Sequence, residues 1–141
     1  MRIMGIDFGT KRVGIALSDE LFLTAQGMDS LYRSTLEKDL GELSRLAAEK
    51  DVSEIVVGLP LNMNGTYSAK TEEALAFSRA LAGAVKVPVK TWDERLTSMQ
   101  AERVLLEGDV SRAKRKKLSD RIAAQIILQS YLDARRRGAV K

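Results

Sequence analysis

Three carboxylates stand where the surrounding sequence predicts burial. Asp7 interrupts the apolar run that opens the chain, and Glu94 follows a second apolar segment that ends at Trp92. Asp120 shares one face of the last helical pattern with apolar residues such as Ala124. An ionised carboxylate is tolerated in such surroundings mainly when it is paired or holds a metal ion. These three acids are therefore the first candidates for chemistry.

The residue types that the chain lacks narrow that chemistry. It has no histidine and no cysteine, which excludes disulfides, thiolate and imidazole metal sites, and Ser-His or Cys-His catalytic groups. Oxygen ligands alone favour a hard cation, so Mg²⁺ or Mn²⁺ is the expected cofactor. If the protein is a hydrolase, a metal ion that lowers the pKa of water would generate the nucleophile.

Each acid also has an ordinary structural explanation. Asp7 could form a turn at the end of a strand. Glu94 could lie in a solvated loop before a helix, where the helix dipole favours acids. Asp120 could pair with a lysine or arginine near the start of its helix. The case for chemistry therefore depends on the three acids occurring together.

Basic residues form the second group of candidates. The turn Gly9-Thr10-Lys11-Arg12 follows Asp7, and its backbone amides and two cations could hold a phosphate oxygen or simply join two strands. The net charge of +4 and a pI near 9.5 fit contact with a phosphate backbone. Two clusters account for much of this charge, although each could equally be a solvated helix end: Arg112, Lys114, Arg115, Lys116, Lys117 and Arg121, then Arg135, Arg136, Arg137 and Lys141.

The elements that must position these residues alternate along the chain. Residues 2–8, 12–18 and 22–28 read as an antiparallel three-strand meander. Helices and buried strands follow: a helix from the capping box Ser34–Glu37 to about Lys50, a strand Ile55–Gly58, a helix Ser68–Ala84, a strand over 87–92, a helix Thr97–Glu107, and a helix from between Arg112 and Lys117 to Arg137.

This order predicts an α/β fold, a single domain over residues 1–141 with one mixed sheet flanked by helices. In open α/β sheets ligands bind beyond the carboxyl ends of strands, which is where Asp7, Gly58–Pro60 and Asp93–Glu94 fall. The spacing of Asp120, Ala124, Ile127 and Tyr131 lets the last helix add its acid from the side. No run approaches the roughly 20 apolar residues of a membrane span, and the N-terminus does not resemble a signal peptide. We expect a cytoplasmic protein without a membrane partner.

Four segments, in order along nearly the whole chain, resemble the YqgF (RuvX) family: Gly5–Ala16, Val57–Gly65, Asp93–Ser98 and Asp120–Leu132. The resemblance implies a ribonuclease H-like fold, similar to that of RuvC-type Holliday junction resolvases. It also implies a nuclease that processes the 5′ end of precursor 16S rRNA, with Asp7, Glu94 and Asp120 as its metal-binding acids. The last helix of junction resolvases commonly offers two acids three residues apart, whereas this chain has Lys117 three residues before Asp120. That difference weakens the transfer of resolvase activity.

The resulting hypothesis is metal-dependent hydrolysis of phosphodiester bonds in RNA. Asp7, Glu94 and Asp120 would hold Mg²⁺ or Mn²⁺, and Lys11, Arg12 and Arg95 would position phosphates. The partner would be structured RNA, in particular pre-16S rRNA within the assembling small subunit. Two alternatives remain open: a Holliday junction resolvase acting on four-way DNA as a symmetric dimer, and a non-catalytic nucleic-acid-binding protein. The sequence does not decide between a monomer and a homodimer.

Overall fold

The structure, a computed structural model, describes residues 1–95 and 112–138, with side chains described at 1–95 and 121–138. The predicted helix Thr97–Glu107 lies outside these residues. Among the described helices, none is long and apolar enough to cross a membrane. The described elements are β1 (Arg2–Phe8), β2 (Arg12–Ser18), β3 (Ala25–Tyr32), α1 (Leu36–Glu49), β4 (Val52–Leu59), α2 (Ala69–Ala84), β5 (Val89–Asp93) and α3 (Arg112–Arg136).

The five strands form one mixed sheet in the order β3-β2-β1-β4-β5. β2 pairs antiparallel with both β1 and β3, whereas β1, β4 and β5 run parallel to one another. The carboxyl ends of β1, β4 and β5 therefore lie along one edge of the sheet. β2 begins at this edge, and β3 ends there. We refer to this edge as the carboxyl edge. The predicted mixed sheet, with its antiparallel meander and parallel strands, is confirmed.

Each face of the sheet carries its own apolar core, because side chains alternate along every strand. Met4 and Ile6 of β1 pack on one face with residues of α1 and α2, such as Leu43 and Phe77. Ile3 and its neighbours pack on the other face against α3: Ala16, Val56, Ala124, Ile127, Leu128, Tyr131 and Leu132. We refer to this second face as the α3 face.

Glycines on the α3 face let the helix approach the strands closely. A Cβ added at Gly5 would lie 2.7 Å from the Cβ of Leu128, and one added at Gly58 would lie 2.5 Å from Cδ1 of Ile127. Both distances are too short for real side chains, so a larger residue at Gly5 would push the helix outward and one at Gly58 would displace the Ile127 side chain. This close packing sets how near α3 can come to the ends of β1 and β4.

β3 starts later than the predicted 22–28 because the preceding turn is longer. The Asp19 carboxylate accepts hydrogen bonds from the backbone N–H of Leu23 at 2.7 Å and of Thr24 at 3.0 Å. Phe22 has a φ of 59°, in the left-handed region that strands exclude. The strand prediction was wrong over its first residues because an apolar pattern does not reveal this side-chain-to-backbone turn.

The first helix also differs from its prediction. Its N-cap is Thr35, whose side chain accepts from Lys38 N at 3.2 Å, and not Ser34. Asp39 takes the role expected of Glu37, since its carboxylate accepts from Ser34 N at 3.0 Å. By contrast α2 begins as predicted after Ser68, through reciprocal capping with Thr71. β3 also ends later than predicted, at Tyr32, and the ends of β4, β5 and α3 shift by one to three residues from the predicted ranges.

Candidate active site

Asp7 and Glu94 both project from the carboxyl edge onto the α3 face. Asp7 is half-buried near the end of β1 and continues the alternation set by Ile3, which packs under α3. Glu94 follows Trp92 by two residues, and the Trp92 indole meets the ring of Tyr131 on α3 at a centroid distance of 5.4 Å. Glu94 N donates to Leu59 O at 3.1 Å, so the β4–β5 pairing holds the backbone of the acid.

Gly58 makes room for the Glu94 side chain. β4 lies between β1 and β5 in the sheet, so Glu94 must pass over it to approach Asp7. A Cβ at Gly58 would stand 3.0 Å from both Cγ and Cδ of Glu94. Along the chain Gly58 marks only the end of an apolar strand, yet a glycine inside a strand is a known signal of close approach. Its role here is steric.

The electrostatics of Glu94 favour a cation at this position. Burial, and then the negative charges of Asp7 and Asp93, raise the pKa of Glu94 to about 8 from its ordinary value of 4.5. Like charges in a partly desolvated site disfavour simultaneous ionisation unless a positive charge joins them. The donors are carboxylate oxygens, which fit Mg²⁺ or Mn²⁺. Within the described residues no three acids converge as a complete ligand set.

The third predicted ligand, Asp120, is described only in its backbone. α3 includes residue 120, so the helical spacing assumed for this acid holds. The inward stripe predicted for that helix is confirmed farther along, because Ala124, Ile127 and Tyr131 are all fully buried. The Asp120 side chain lies outside the described residues, and its role as a ligand stays a prediction.

Arg95 is held beside Glu94 by an ion pair with Asp93. Its Nη2 donates to Asp93 Oδ2 at 2.7 Å and its Nε donates to the same oxygen at 2.9 Å. This pairing lowers the pKa of Asp93. Nη1 reaches Met63 O at 3.4 Å, and a Cβ at Gly65, whose φ is +85°, would lie 3.3 Å from that nitrogen. The structure thus places Arg95 at the carboxyl edge, and its predicted contact with phosphate stays a prediction.

The turn between β1 and β2 adds further cations to this edge. Gly9 N donates to Arg12 O at 2.9 Å, which confirms a tight hairpin turn. Lys11 is exposed at its tip, and the Arg12 guanidinium lies over the Tyr32 ring at 5.7 Å. Arg33, which its spacing along the chain did not predict as a site residue, donates from Nη1 to Gly9 O at 3.2 Å. Its signal was its position directly after a strand that ends at this edge.

Sequence comparison identifies relatives along almost the whole chain. The profile of the RuvX family, described as Holliday junction resolvase, matches residues 1–134. A curated protein of Symbiobacterium thermophilum is 56% identical over 135 residues, covering 96% of this chain and 94% of that protein. One of Syntrophomonas wolfei is 59% identical over 133 residues, covering 94% of each. Both carry the provisional name pre-16S rRNA nuclease.

Solved structures with a similar fold include two resolvases bound to Holliday junctions. RuvC of Thermus thermophilus superposes with a TM-score of 0.64 at 18% identity, covering 100% of this chain and 99% of that one. The Fowlpox virus resolvase gives a TM-score of 0.59 at 14% identity, covering 95% and 98%. At such identities the likeness concerns the fold alone, and it confirms the ribonuclease H-like α/β architecture. Together with the match over residues 1–134, these findings show that the chain belongs to the RuvX family.

Proposed function

We propose that this protein is a metal-dependent nuclease that hydrolyses phosphodiester bonds in the 5′-end processing of precursor 16S rRNA. The observation that carries the proposal is the position of Glu94, where burial and the nearby charge of Asp7 raise its pKa to about 8. A site that concentrates negative charge in this way is stabilised by a divalent cation. Membership of the RuvX family and the names of the close relatives support nuclease activity.

Asp7, Glu94 and Asp120 would hold the cation. When bound, Mg²⁺ or Mn²⁺ activates water and stabilises the leaving oxygen in phosphodiester hydrolysis. The chain's own contribution is to place the acids. β1 carries Asp7, the hydrogen bond from Glu94 N to Leu59 O fixes the backbone at the second acid, and Gly58 leaves the space that the Glu94 side chain crosses.

Lys11, Arg12 and Arg95 would orient the substrate through its phosphates. They lie at the carboxyl edge, on both sides of the two acids along the sheet. Contacts of this kind position a nucleic acid without reading its sequence. Selection of pre-16S rRNA would then depend on RNA shape within the assembling small subunit, in the cytoplasm. A monomer or a homodimer could provide this arrangement.

Cleavage of four-way DNA is the second candidate. It is favoured by the description of the RuvX family and by the fold shared with RuvC. Lys117 argues against resolvase activity, because junction resolvases commonly carry a further acid at this position. A symmetric junction would also call for a symmetric dimer.

The test is to incubate the purified protein with precursor 16S rRNA and with a four-way DNA junction, each in Mn²⁺ or EDTA. Asp7→Asn and Glu94→Gln are the site variants. Glu49→Gln is the matched control, because Glu49 is an exposed acid on α1 that pairs with Arg45. Metal-dependent cutting of the RNA, lost in the site variants only, would support the proposal. Cutting of the junction alone would favour the resolvase, and binding without any cutting would overturn nuclease activity.

A further inference from the structure

A pocket of about 250 Å³ opens on the sheet beside the candidate active site. Among the residues whose side chains the structure describes, those that line it are Arg12, Asp29, Ser30, Tyr32 and Arg121. Arg12 opens β2 and Tyr32 ends β3, and the two are directly paired across these strands. The pocket therefore lies at the carboxyl edge, where Asp7 and Glu94 also project.

The pocket also shares a face of the sheet with Asp7. Asp7 pairs with Gly14 on β2, and Arg12 is two residues from Gly14 on the same strand, so both side chains emerge on the α3 face. Two residues along a strand span about 7 Å. Arg121 belongs to α3 itself and closes the pocket from above. If a nucleic acid strand binds at Asp7, the nucleotide next to the bound one would lie at this pocket.

The position of the Arg121 side chain depends on Gly27. A Cβ at Gly27 would overlap Cγ of Arg121 and would lie 3.1 Å from its Cδ. The aliphatic part of Arg121 thus lies flat on β3, and its guanidinium forms an ion pair with Asp29. The Asp29 side chain is 95% exposed. An ion pair with so exposed a partner adds little stability, so a phosphate can displace the carboxylate.

We propose that this pocket is a nucleotide subsite, in which Arg12, Arg121 and the Ser30 hydroxyl bind the phosphate next to the scissile one. Guanidinium groups are the side chains best suited to phosphate oxygens, because their planar N–H groups donate in pairs. The Tyr32 ring, which stays 61% exposed beside Arg12, packs against the sugar or base. Asp29 competes with the phosphate and lowers its affinity. This inference rests on the proposed function, because a nucleic acid must occupy the acidic site.

Binding can be tested apart from cleavage. The probe is a fluorescein-labelled 2′-O-methyl RNA oligonucleotide in EDTA, and the readout is fluorescence anisotropy over a salt titration. Arg121→Gln should weaken binding about tenfold, because hydrogen bonds to charged groups are among the strong ones. It should also reduce the slope of log K against log salt by about 0.7, the value for one phosphate contact on a single strand. Arg79→Gln is the matched control, since Arg79 is an exposed arginine on α2, and it should change the affinity less than about twofold.

A second experiment locates the contact on the RNA. Single phosphates of the oligonucleotide are replaced by uncharged methylphosphonates. One replacement should weaken binding by the wild type more than binding by Arg121→Gln, because the variant has already lost one of the three contacts to that phosphate. Asp29→Asn should tighten binding, whereas Glu49→Gln should not, although both remove an exposed acid paired with an arginine.

Equal losses in Arg121→Gln and Arg79→Gln would overturn the subsite. So would methylphosphonate penalties that are the same in wild type and Arg121→Gln at every position. Because these measurements need no cleavage, the subsite can hold even if no nuclease activity is found. Conversely, RNA cleavage without the position-specific coupling would support the proposed function and refute the subsite.

Discussion

The two ends of the α3 face surround a glutamate carboxylate with different groups. Far from the carboxyl edge, Glu54 of β4 accepts a hydrogen bond from the Tyr131 hydroxyl and lies 3.3 Å from Lys90 Nζ. At the carboxyl edge, burial and the two nearby acids Asp7 and Asp93 raise the pKa of Glu94 to about 8. Both glutamates lie under the same helix. One end supplies donors that satisfy its acid, and the other end brings several acids close to one another.

Because of this difference, one end of the α3 face contributes to stability and the other to the candidate site. Glu54 and Gly58 lie on the same strand, about 13 Å apart along it. Satisfied polar groups under a helix stabilise its docking, whereas acids that lie close together destabilise the fold unless a cation binds between them. We therefore expect substitutions at the two ends to affect different properties.

Substitutions at the two ends should differ most in their effect on RNA cleavage. Asp7→Asn and Glu94→Gln should each lower RNA cleavage by more than about a hundredfold, since even residues that only support metal ligands can contribute that much. Glu54→Gln should leave the cleavage rate of the folded protein nearly unchanged. The measurement is single-turnover cleavage in saturating Mn²⁺. A comparable loss in Glu54→Gln would remove the distinction between the ends.

The dependence of stability on pH should come next. The pKa of Glu94 is about 8 in the folded protein and 4.5 ordinarily, so between these values the folded state retains a proton that the unfolded state releases. Stability should therefore fall as pH rises through this window, by at most about 1.4 kcal/mol per pH unit. Melting temperatures in EDTA should show this fall in wild type but not in Glu94→Gln. Asp7→Asn should show a weaker fall, because burial of Glu94 remains.

Addition of Mg²⁺ to these melts tests the cation directly. The ion should raise the wild-type melting temperature most at the upper end of the pH window, where Glu94 loses its proton. An equal rise in Asp7→Asn would contradict a shared metal site.

Gly58→Ala should damage the carboxyl edge through packing alone. The added methyl would overlap Ile127 and crowd Glu94, and we expect a loss of about 1–3 kcal/mol in the free energy of unfolding together with reduced cleavage. Gly83→Ala is the control, because no atom lies within 4 Å of a Cβ at that helical position. It should stabilise the protein by about 0.5–1 kcal/mol. Urea denaturation of both variants gives the comparison.

The smallest effect on stability is expected at the end of the α3 face that carries Glu54. Tyr131→Phe removes the hydroxyl that donates to Glu54 and should cost about 1 kcal/mol of stability without changing the cleavage rate. Tyr32→Phe, at an exposed ring, should leave stability nearly unchanged. Urea midpoints measure both, and a large loss of cleavage in Tyr131→Phe would show that the two ends are coupled.

Much of the fold follows from local pattern. The apolar run that includes Ile3 and Met4 and the helical spacing of Ala124, Ile127 and Tyr131 predicted buried side chains, and the structure confirms them. The apolar pattern failed at the start of β3, where the hydrogen bonds of Asp19 prolong a turn. A side-chain cap of this kind depends on one residue and has no period that a pattern can reveal.

The sequence by itself identified Asp7 and Glu94 as acids in apolar surroundings and assigned their strands, because these properties depend on neighbours along the chain. Only the tertiary structure decided that the two acids repel each other, that Gly58 leaves the space that Glu94 crosses, and that Arg121 lies on Gly27 beside the site. These relations require β4 to lie between β1 and β5 and α3 to pack across them. Strand order and helix docking result from burial of apolar surface over the whole chain, which residue spacing does not encode.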